Sequence, residues 1–256
     1  MANITRPLPV STESVVTQPV ETGLFEHLAE LRKRLFISAL ALVAGTLVGI
    51  LFGEPLMMYL QQPYGREFVV LGPTSGVVAY FRVALMAGGI IAAPVITYQV
   101  LMFVLPGLVA REKRMILFSL PPVMLLFLTG ALFSWFVLIP PAIGFLEGFQ
   151  ASIFQPEWTA DLYLSFVTTL VFWMGVAFET PLVFFVVALL GMVTPHMLIK
   201  NWRVAIIGAL IAAALITPTV DPVNMGLVVV PLLALYALSI LLVAIGARLN
   251  KRQSKI

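Results

Sequence analysis

The sequence predicts an all-α, polytopic membrane protein with six transmembrane helices. Hydrophobic residues make up 61% of the 256-residue chain and charged residues only 11%, whereas a soluble domain is about 45–50% apolar and about 25% charged. One interior cannot hold so much apolar surface, so lipid must cover most of the molecule. The apolar residues also form long runs, and nearly all of the positive charge lies between alternate runs.

Six apolar runs are bounded by charges, prolines or glycines, and a helical crossing needs about 20 apolar residues. We predict spans at 35–52, 83–105, 115–139, 164–190, 204–216 and 223–247. The third is predicted to end at Pro140-Pro141. The fifth covers only about 20 Å of helix, and a few residues separate it from the sixth. We therefore expect a short hairpin that ends below the membrane surface.

The distribution of charge predicts the topology. All but two of the 15 lysines and arginines precede the first run, separate the second from the third or the fourth from the fifth, or follow the sixth; the exceptions are Arg66 and Arg82. The positive-inside rule then places both termini in the cytoplasm. Residues 1–20 are polar and predict a disordered cytoplasmic tail, followed by one transmembrane domain over residues 21–256. The outer loop at 53–82 is long enough to form short helices that cap the bundle.

Several classes of site are not expected. The chain has no cysteine and only two histidines, so neither a disulfide framework nor a metal site is predicted. No catalytic motif or phosphate-binding loop occurs, and we expect neither an enzyme nor a cofactor. The absence of a transit-like leader favours a bacterial plasma membrane, with the thylakoid membrane as the alternative.

Two acidic residues lie beside the predicted inner membrane surface. Glu30 is either part of an amphipathic lead-in, paired with Arg34 four residues on, or a carboxylate that binds a cation. Glu112 is either local charge balance among the bases of AREKR or a second carboxylate for the same ligand. Two such carboxylates would suit adjacent guanidinium groups, because arginine binds a carboxylate through a planar fork that lysine lacks.

Polar residues also occur at membrane depth. Glu179 lies near the middle of the fourth run, where a charged carboxylate costs at least about 2.5–3.5 kcal/mol, so it should face protein or water. It is either functional, which we favour, or a structural hydrogen-bonding group. Thr217 and Asp221 lie in the last turn, where we expect Asp221 to cap the sixth helix rather than to bind a ligand.

Four segments in this order resemble the TatC family, the core subunit of the twin-arginine protein translocase, over roughly residues 24–247. They are HLAELRKRL (27–35), APVITYQVLMFVLPGL (93–108) followed by AREKR, YLSFVTTLVFWMGVAFETP (163–181) and ITPTVDP (216–222). The resemblance implies a receptor for paired-arginine signal peptides of folded proteins. It also implies recruitment of TatA- and TatB-like single-span subunits, proton-gradient-driven export and a homo-oligomer within a larger complex. No nucleic-acid partner is expected.

The resemblance also implies roles for individual residues. Glu30 and Glu112 correspond to the carboxylates that bind the two guanidinium groups. Leu28, Arg32 and Phe103 belong to motifs that line or support that site. Partner docking is implied for three residues at membrane depth: Glu179, Thr217 and Asp221. Pro63 resembles the proline of the outer cap, and Met225 departs from relatives that carry glutamine there.

Two other functions fit the sequence less well. A proton-coupled small-molecule transporter could use Glu179 as its proton site, but transporters usually show internal repeats and several intramembrane polar groups. An intramembrane enzyme would need a nucleophile–base or metal set, which the sequence lacks.

Overall fold

The computed structural model describes residues 21–104, 110–153, 156–218 and 221–253, with side chains described for 27–103, 121–153, 156–218 and 221–249. Within these ranges the elements are α1 (Glu21–Leu51), α2 (Gly53–Gln61), α3 (Ser75–Val104), α4 (Ala110–Phe133), a π-helical segment (Ser134–Leu138), α5 (Ile139–Gly148), α6 (Ala160–Leu189), α7 (Pro195–Lys200), α8 (Trp202–Ile216) and α9 (Pro222–Gln253). The predicted all-α class is confirmed. The tail predicted at 1–20 lies outside the described residues.

Among the described residues, five stretches are helical, as a lipid-embedded backbone must be, and long and apolar enough to cross a membrane: His27–Leu51, Ser75–Phe103, Pro121–Gly148, Ala160–Leu189 and Pro222–Leu249. The shorter apolar helix α8 has 15 residues, or about 22 Å. The predicted short fifth helix is therefore confirmed. Six crossings with both termini inside remain a prediction.

Several predicted boundaries were wrong, including the start of the first span, which lies at His27 rather than at residue 35. The third span does not end at Pro140-Pro141, because the helix continues through the π-helical segment into α5 as far as Gly148. The two prolines occupy the first positions of α5, where a missing N–H removes little hydrogen bonding. The second span begins at Ser75 rather than at residue 83, with Arg82 inside α3. The apolar helix α3 can contain this charged residue because Arg82 pairs with an acid of α6: Arg82 Nη1 donates to Asp161 Oδ1 at 2.8 Å.

Small residues bring α1 and α3 into close contact. A Cβ added to Gly45 would lie 2.5 Å from the carbonyl oxygen of Gly88, and one added to Gly49 would clash with the backbone of Ala84. Gly45 and Gly49 form a GxxxG pair, the spacing that lets membrane helices approach backbone to backbone. This contact joins the carboxy-terminal part of α1 to the amino-terminal half of α3.

A cap covers the end of the bundle at which α1 finishes. It contains α2 and an aromatic cluster in which Tyr64 stacks on Trp158 with ring centroids 5.3 Å apart. The Tyr163 hydroxyl donates to the carbonyl of Leu60 at 3.0 Å, and Val69 pairs with Thr159 in an isolated β-bridge. The predicted cap is thus present, with Pro63 immediately before the buried Tyr64.

Candidate functional site

A charged cluster lies where the start of α1 meets the end of α3. Arg34 Nε donates to Glu30 Oε1 at 3.0 Å, and Arg34 Nη2 donates to the same oxygen. Arg34 Nη1 also donates to Gln99 Oε1 of α3 at 3.3 Å. The expected pair four residues apart is therefore present, inside one continuous helix rather than in a separate lead-in. Since the Glu30 side chain is 36% exposed, solvent and ligands retain access to the carboxylate.

Aromatic contacts extend this cluster towards the end of α3. The rings of His27 and Phe103 stack with centroids 4.6 Å apart and planes 19° from parallel. Phe103 is half-buried, while Leu28 and Arg32 are exposed on α1. The structure therefore brings Glu30 and Phe103 to one helix–helix junction, with Leu28 and Arg32 on the adjoining open surface.

Glu112 belongs to the first turn of α4 by its backbone. Its side chain lies outside the part of the chain for which side chains are described. The predicted convergence of Glu30 and Glu112 therefore remains a prediction.

A second carboxylate lies inside the bundle, on α6. Glu179 is only 6% exposed, and its Oε2 accepts a hydrogen bond of 2.6 Å from Thr97 Oγ1 of α3. Its Oε1 is buried and has no hydrogen-bond partner among the described residues. The carboxyl group thus offers one oxygen to a donor that the described part of the chain does not supply.

A cavity of about 340 Å³ between α3, α4 and α6 is lined in part by Glu179. Its walls are apolar side chains, including Phe127 and Phe172, apart from Thr97, Glu179 and Thr180. Such a cavity favours an apolar occupant that carries a single polar group.

The turn between α8 and α9 contains polar groups that cap the two helices. Asp221 Oδ1 accepts from the backbone N–H of Asn224 at 2.7 Å, and Oδ2 accepts from Asn224 Nδ2 at 2.9 Å. Capping by Asp221 is therefore confirmed. The Thr217 hydroxyl donates to the carbonyl of Ala213 at 2.8 Å, at the end of α8. Met225 is partly buried against the core.

Sequence reasoning missed three contacts around these acids: Thr97 with Glu179, Gln99 with Arg34, and His27 with Phe103. Thr97 and Gln99 lie in a segment already singled out, ITYQV, but their partners are 82 and 65 residues away. A polar pair two residues apart in an apolar helix was the available signal. Its meaning depends on which neighbouring helix each residue faces.

The Sec-independent protein translocase protein (TatC) family matches residues 26–231. The chain belongs to the TatC family. A TatC protein of Synechocystis is 38% identical over 86% of this chain and 87% of its own length. One from Aquifex aeolicus is 37% identical over 91% of this chain and 99% of its own. The crystal structure of a twin-arginine translocase receptor TatC superposes with a TM-score of 0.75 at 37% identity, covering 87% of this chain and all of that one.

Membership of the TatC family confirms part of the sequence interpretation. The chain is a multi-pass component of a twin-arginine translocase, a transport protein rather than a catalyst. Relatives include bacterial TatC and chloroplastic TATC of Arabidopsis thaliana, so the membrane is a bacterial inner membrane or a thylakoid. As a translocase component, the chain works in a complex with other Tat subunits.

Proposed function

We propose that the junction of α1 and α3, together with the start of α4, binds the paired arginines of a signal peptide. Glu30 and Glu112 bind the two guanidinium groups, with Leu28, Arg32 and Phe103 lining or supporting the site. One observation carries this proposal: the Glu30 carboxylate already accepts two guanidinium N–H groups, from Arg34. Its surroundings therefore suit the chemistry of the expected ligand.

The neighbouring groups favour arginine over lysine. Guanidinium presents several donors in one plane, whereas an ammonium is a compact, strongly hydrated point charge. Phe103, whose ring stacks on His27 about one helical turn before Glu30, adds an aromatic group to the same junction, and guanidinium groups stack on aromatic faces. A paired-lysine peptide would keep the charge but lose both the fork and the stacking.

The test is binding of labelled signal peptides to the purified protein in detergent. The expected result is tight binding of the paired-arginine peptide, at least about tenfold weaker binding of the paired-lysine peptide, and loss of binding in Glu30→Ala. Glu54→Ala removes an exposed acid at the start of α2, near the other end of α1, and should bind as wild type does. Equal binding of both peptides, or wild-type binding by Glu30→Ala, contradicts the proposal.

We further propose that the Glu179 cavity docks single-span TatA- and TatB-like subunits, which drive export with the proton gradient. The support is the buried Oε1 without a partner among the described residues and the apolar cavity beside it. An apolar helix carrying one hydrogen-bond donor would fill both. In this proposal Thr217 and Asp221 act indirectly, by shaping the short α8–α9 hairpin beside the docked helix, and several copies of the chain assemble in one complex.

A different outcome would favour the transporter hypothesis. Proteoliposomes that contain this chain alone should show no substrate-dependent proton flux if the Glu179 cavity serves docking. Flux that disappears in Glu179→Gln would instead indicate proton-coupled transport.

A further inference from the structure

A second apolar cavity lies at the other end of α6, where the chain turns into α7 and α8. Its volume is about 300 Å³. Phe184 of α6, Met197 of α7, Val204 of α8 and Tyr236 of α9 contribute to its walls. α6 and α8 both pack on α9 but scarcely touch each other. The cavity is thus a gap between two apolar helices that the protein itself does not fill.

The interior of this cavity suits a hydrocarbon chain rather than a polar solute. Among its lining residues, the polar side chains are those of Asn201 and Tyr236. The Tyr236 hydroxyl already donates to the carbonyl of Leu198 at 2.7 Å, and Asn201 Nδ2 donates to the carbonyl of Met197 at 2.9 Å. A polar ligand would find few groups to replace its hydration.

Two basic residues lie next to this cavity in the chain. Lys200 and Arg203 flank the lining residue Asn201 in the chain, and both are exposed. Neither forms an ion pair with another described residue, and no Asp or Glu occurs from 180 to 220. The turn beside the cavity therefore carries two positive charges that no acid nearby in the chain compensates, so it complements an anion.

The same turn has features of a membrane interface. Trp202 is 52% exposed and Ile199 is 55% exposed, and the Arg203 guanidinium lies over the Trp202 ring at 5.6 Å from its centroid. Exposed tryptophan beside basic residues at the end of a spanning helix is typical of the headgroup level of a bilayer. Lipid phosphates lie at that level, directly above the acyl chains.

We propose that this turn is a binding site for an anionic phospholipid. One acyl chain occupies the cavity between α6, α8 and α9, and the phosphate lies between Lys200 and Arg203. The bound lipid fills the space that separates α6 from α8 and so braces the short hairpin. This site is distinct from the α1–α3 junction and from the Glu179 cavity, and it does not depend on the function proposed for either.

The test measures lipid adducts on the purified full chain by native mass spectrometry, with phosphatidylglycerol and phosphatidylcholine of identical acyl chains. We expect phosphatidylglycerol to bind about tenfold more tightly. The double variant Lys200→Gln/Arg203→Gln should lose that preference. The matched control, Lys33→Gln/Arg66→Gln, removes two positive charges elsewhere and should keep it.

Two further arms distinguish the lipid from other occupants. Met197→Trp, a bulkier side chain in the cavity wall, should weaken binding of both lipids while leaving the preference for the anionic one. Inorganic phosphate at millimolar concentration should not displace phosphatidylglycerol. An unchanged preference in Lys200→Gln/Arg203→Gln, equal loss in the control, or displacement by phosphate alone would each overturn the proposal.

Discussion

Glu30 and Glu179 are two carboxylates on helices that both pack against α3, and their surroundings differ in almost every respect. Glu30 is 36% exposed and bound by a guanidinium group, whereas Glu179 is 6% exposed and bound by one hydroxyl. An exposed carboxylate remains ionised because water solvates its charge, and it can therefore pair with a cationic ligand. A buried carboxylate in an apolar cavity instead selects a neutral donor, since a charge there is expensive. The two proposals therefore assign two kinds of recognition to the same type of side chain.

Peptide affinity should change most when the charge of Glu30 is removed without changing the shape of the side chain, and the same change at Glu179 provides the comparison. Glu30→Gln should weaken binding of a paired-arginine peptide by about 30-fold or more, because a guanidinium group loses its charged partner. Glu179→Gln should leave that affinity within about twofold. Peptide titration of both variants checks this. Equal losses at the two positions would mean that the two acids belong to one site.

The second prediction concerns the close contact between α1 and α3, which positions Glu30 but not Glu179. Gly45→Leu forces α1 away from α3 and should destabilise the protein by about 1–3 kcal/mol, because the added Cβ alone would lie 2.5 Å from the Gly88 carbonyl. Peptide binding should weaken, since Glu30 and Phe103 lie on the two displaced helices. Thermal unfolding in detergent and peptide titration measure these effects.

The control for this change is Gly208→Leu in α8, where an added Cβ meets nothing within 4 Å. It should leave both stability and peptide affinity near wild type. A destabilisation as large as that of Gly45→Leu would point to a general effect of leucine in an apolar helix.

A third prediction concerns the Glu179 cavity alone. Glu179→Ala should lower crosslinking of a single-span partner by about fivefold, because interhelical hydrogen bonds in membranes contribute about 1 kcal/mol. Glu179→Gln should retain most of the crosslinking, since its amide still accepts a hydrogen bond. A photoreactive residue at the lining position Val183 reports the contact. Crosslinking that is the same in Glu179→Ala and wild type would refute docking at this acid.

The smallest expected effect concerns Arg34, which occupies the Glu30 carboxylate. Arg34→Gln should tighten binding of the paired-arginine peptide by about twofold, because a pair four residues apart on a helix contributes about 0.2–0.5 kcal/mol. Lys33→Gln removes the same charge from an exposed neighbour. An equal gain in Lys33→Gln would show that the effect is one of net charge rather than of competition for Glu30.

The sequence predicted some elements well and others poorly, for physical reasons. The short fifth helix and the Asp221 cap follow from local chemistry, namely the length of an apolar run and a carboxylate three residues before a free N–H. The predicted end of the third span is wrong because Pro140 and Pro141 do not break the helix. In the structure a π-helical segment precedes Pro140 and Pro141, which shifts the hydrogen-bonding register.

The amino-acid sequence alone predicted the membrane environment of this protein, the number and length of its apolar runs, and the acidic residues that are candidates for function. These properties depend on composition and spacing, which are local. The tertiary structure was needed to show that Arg34 also bonds Gln99, that Thr97 bonds Glu179 and that Glu179 lines an apolar cavity. Partners that lie 65 and 82 residues away in the chain become neighbours only through packing. Packing here depends on close contacts such as Gly45 against Gly88, which fix how α1 and α3 face each other.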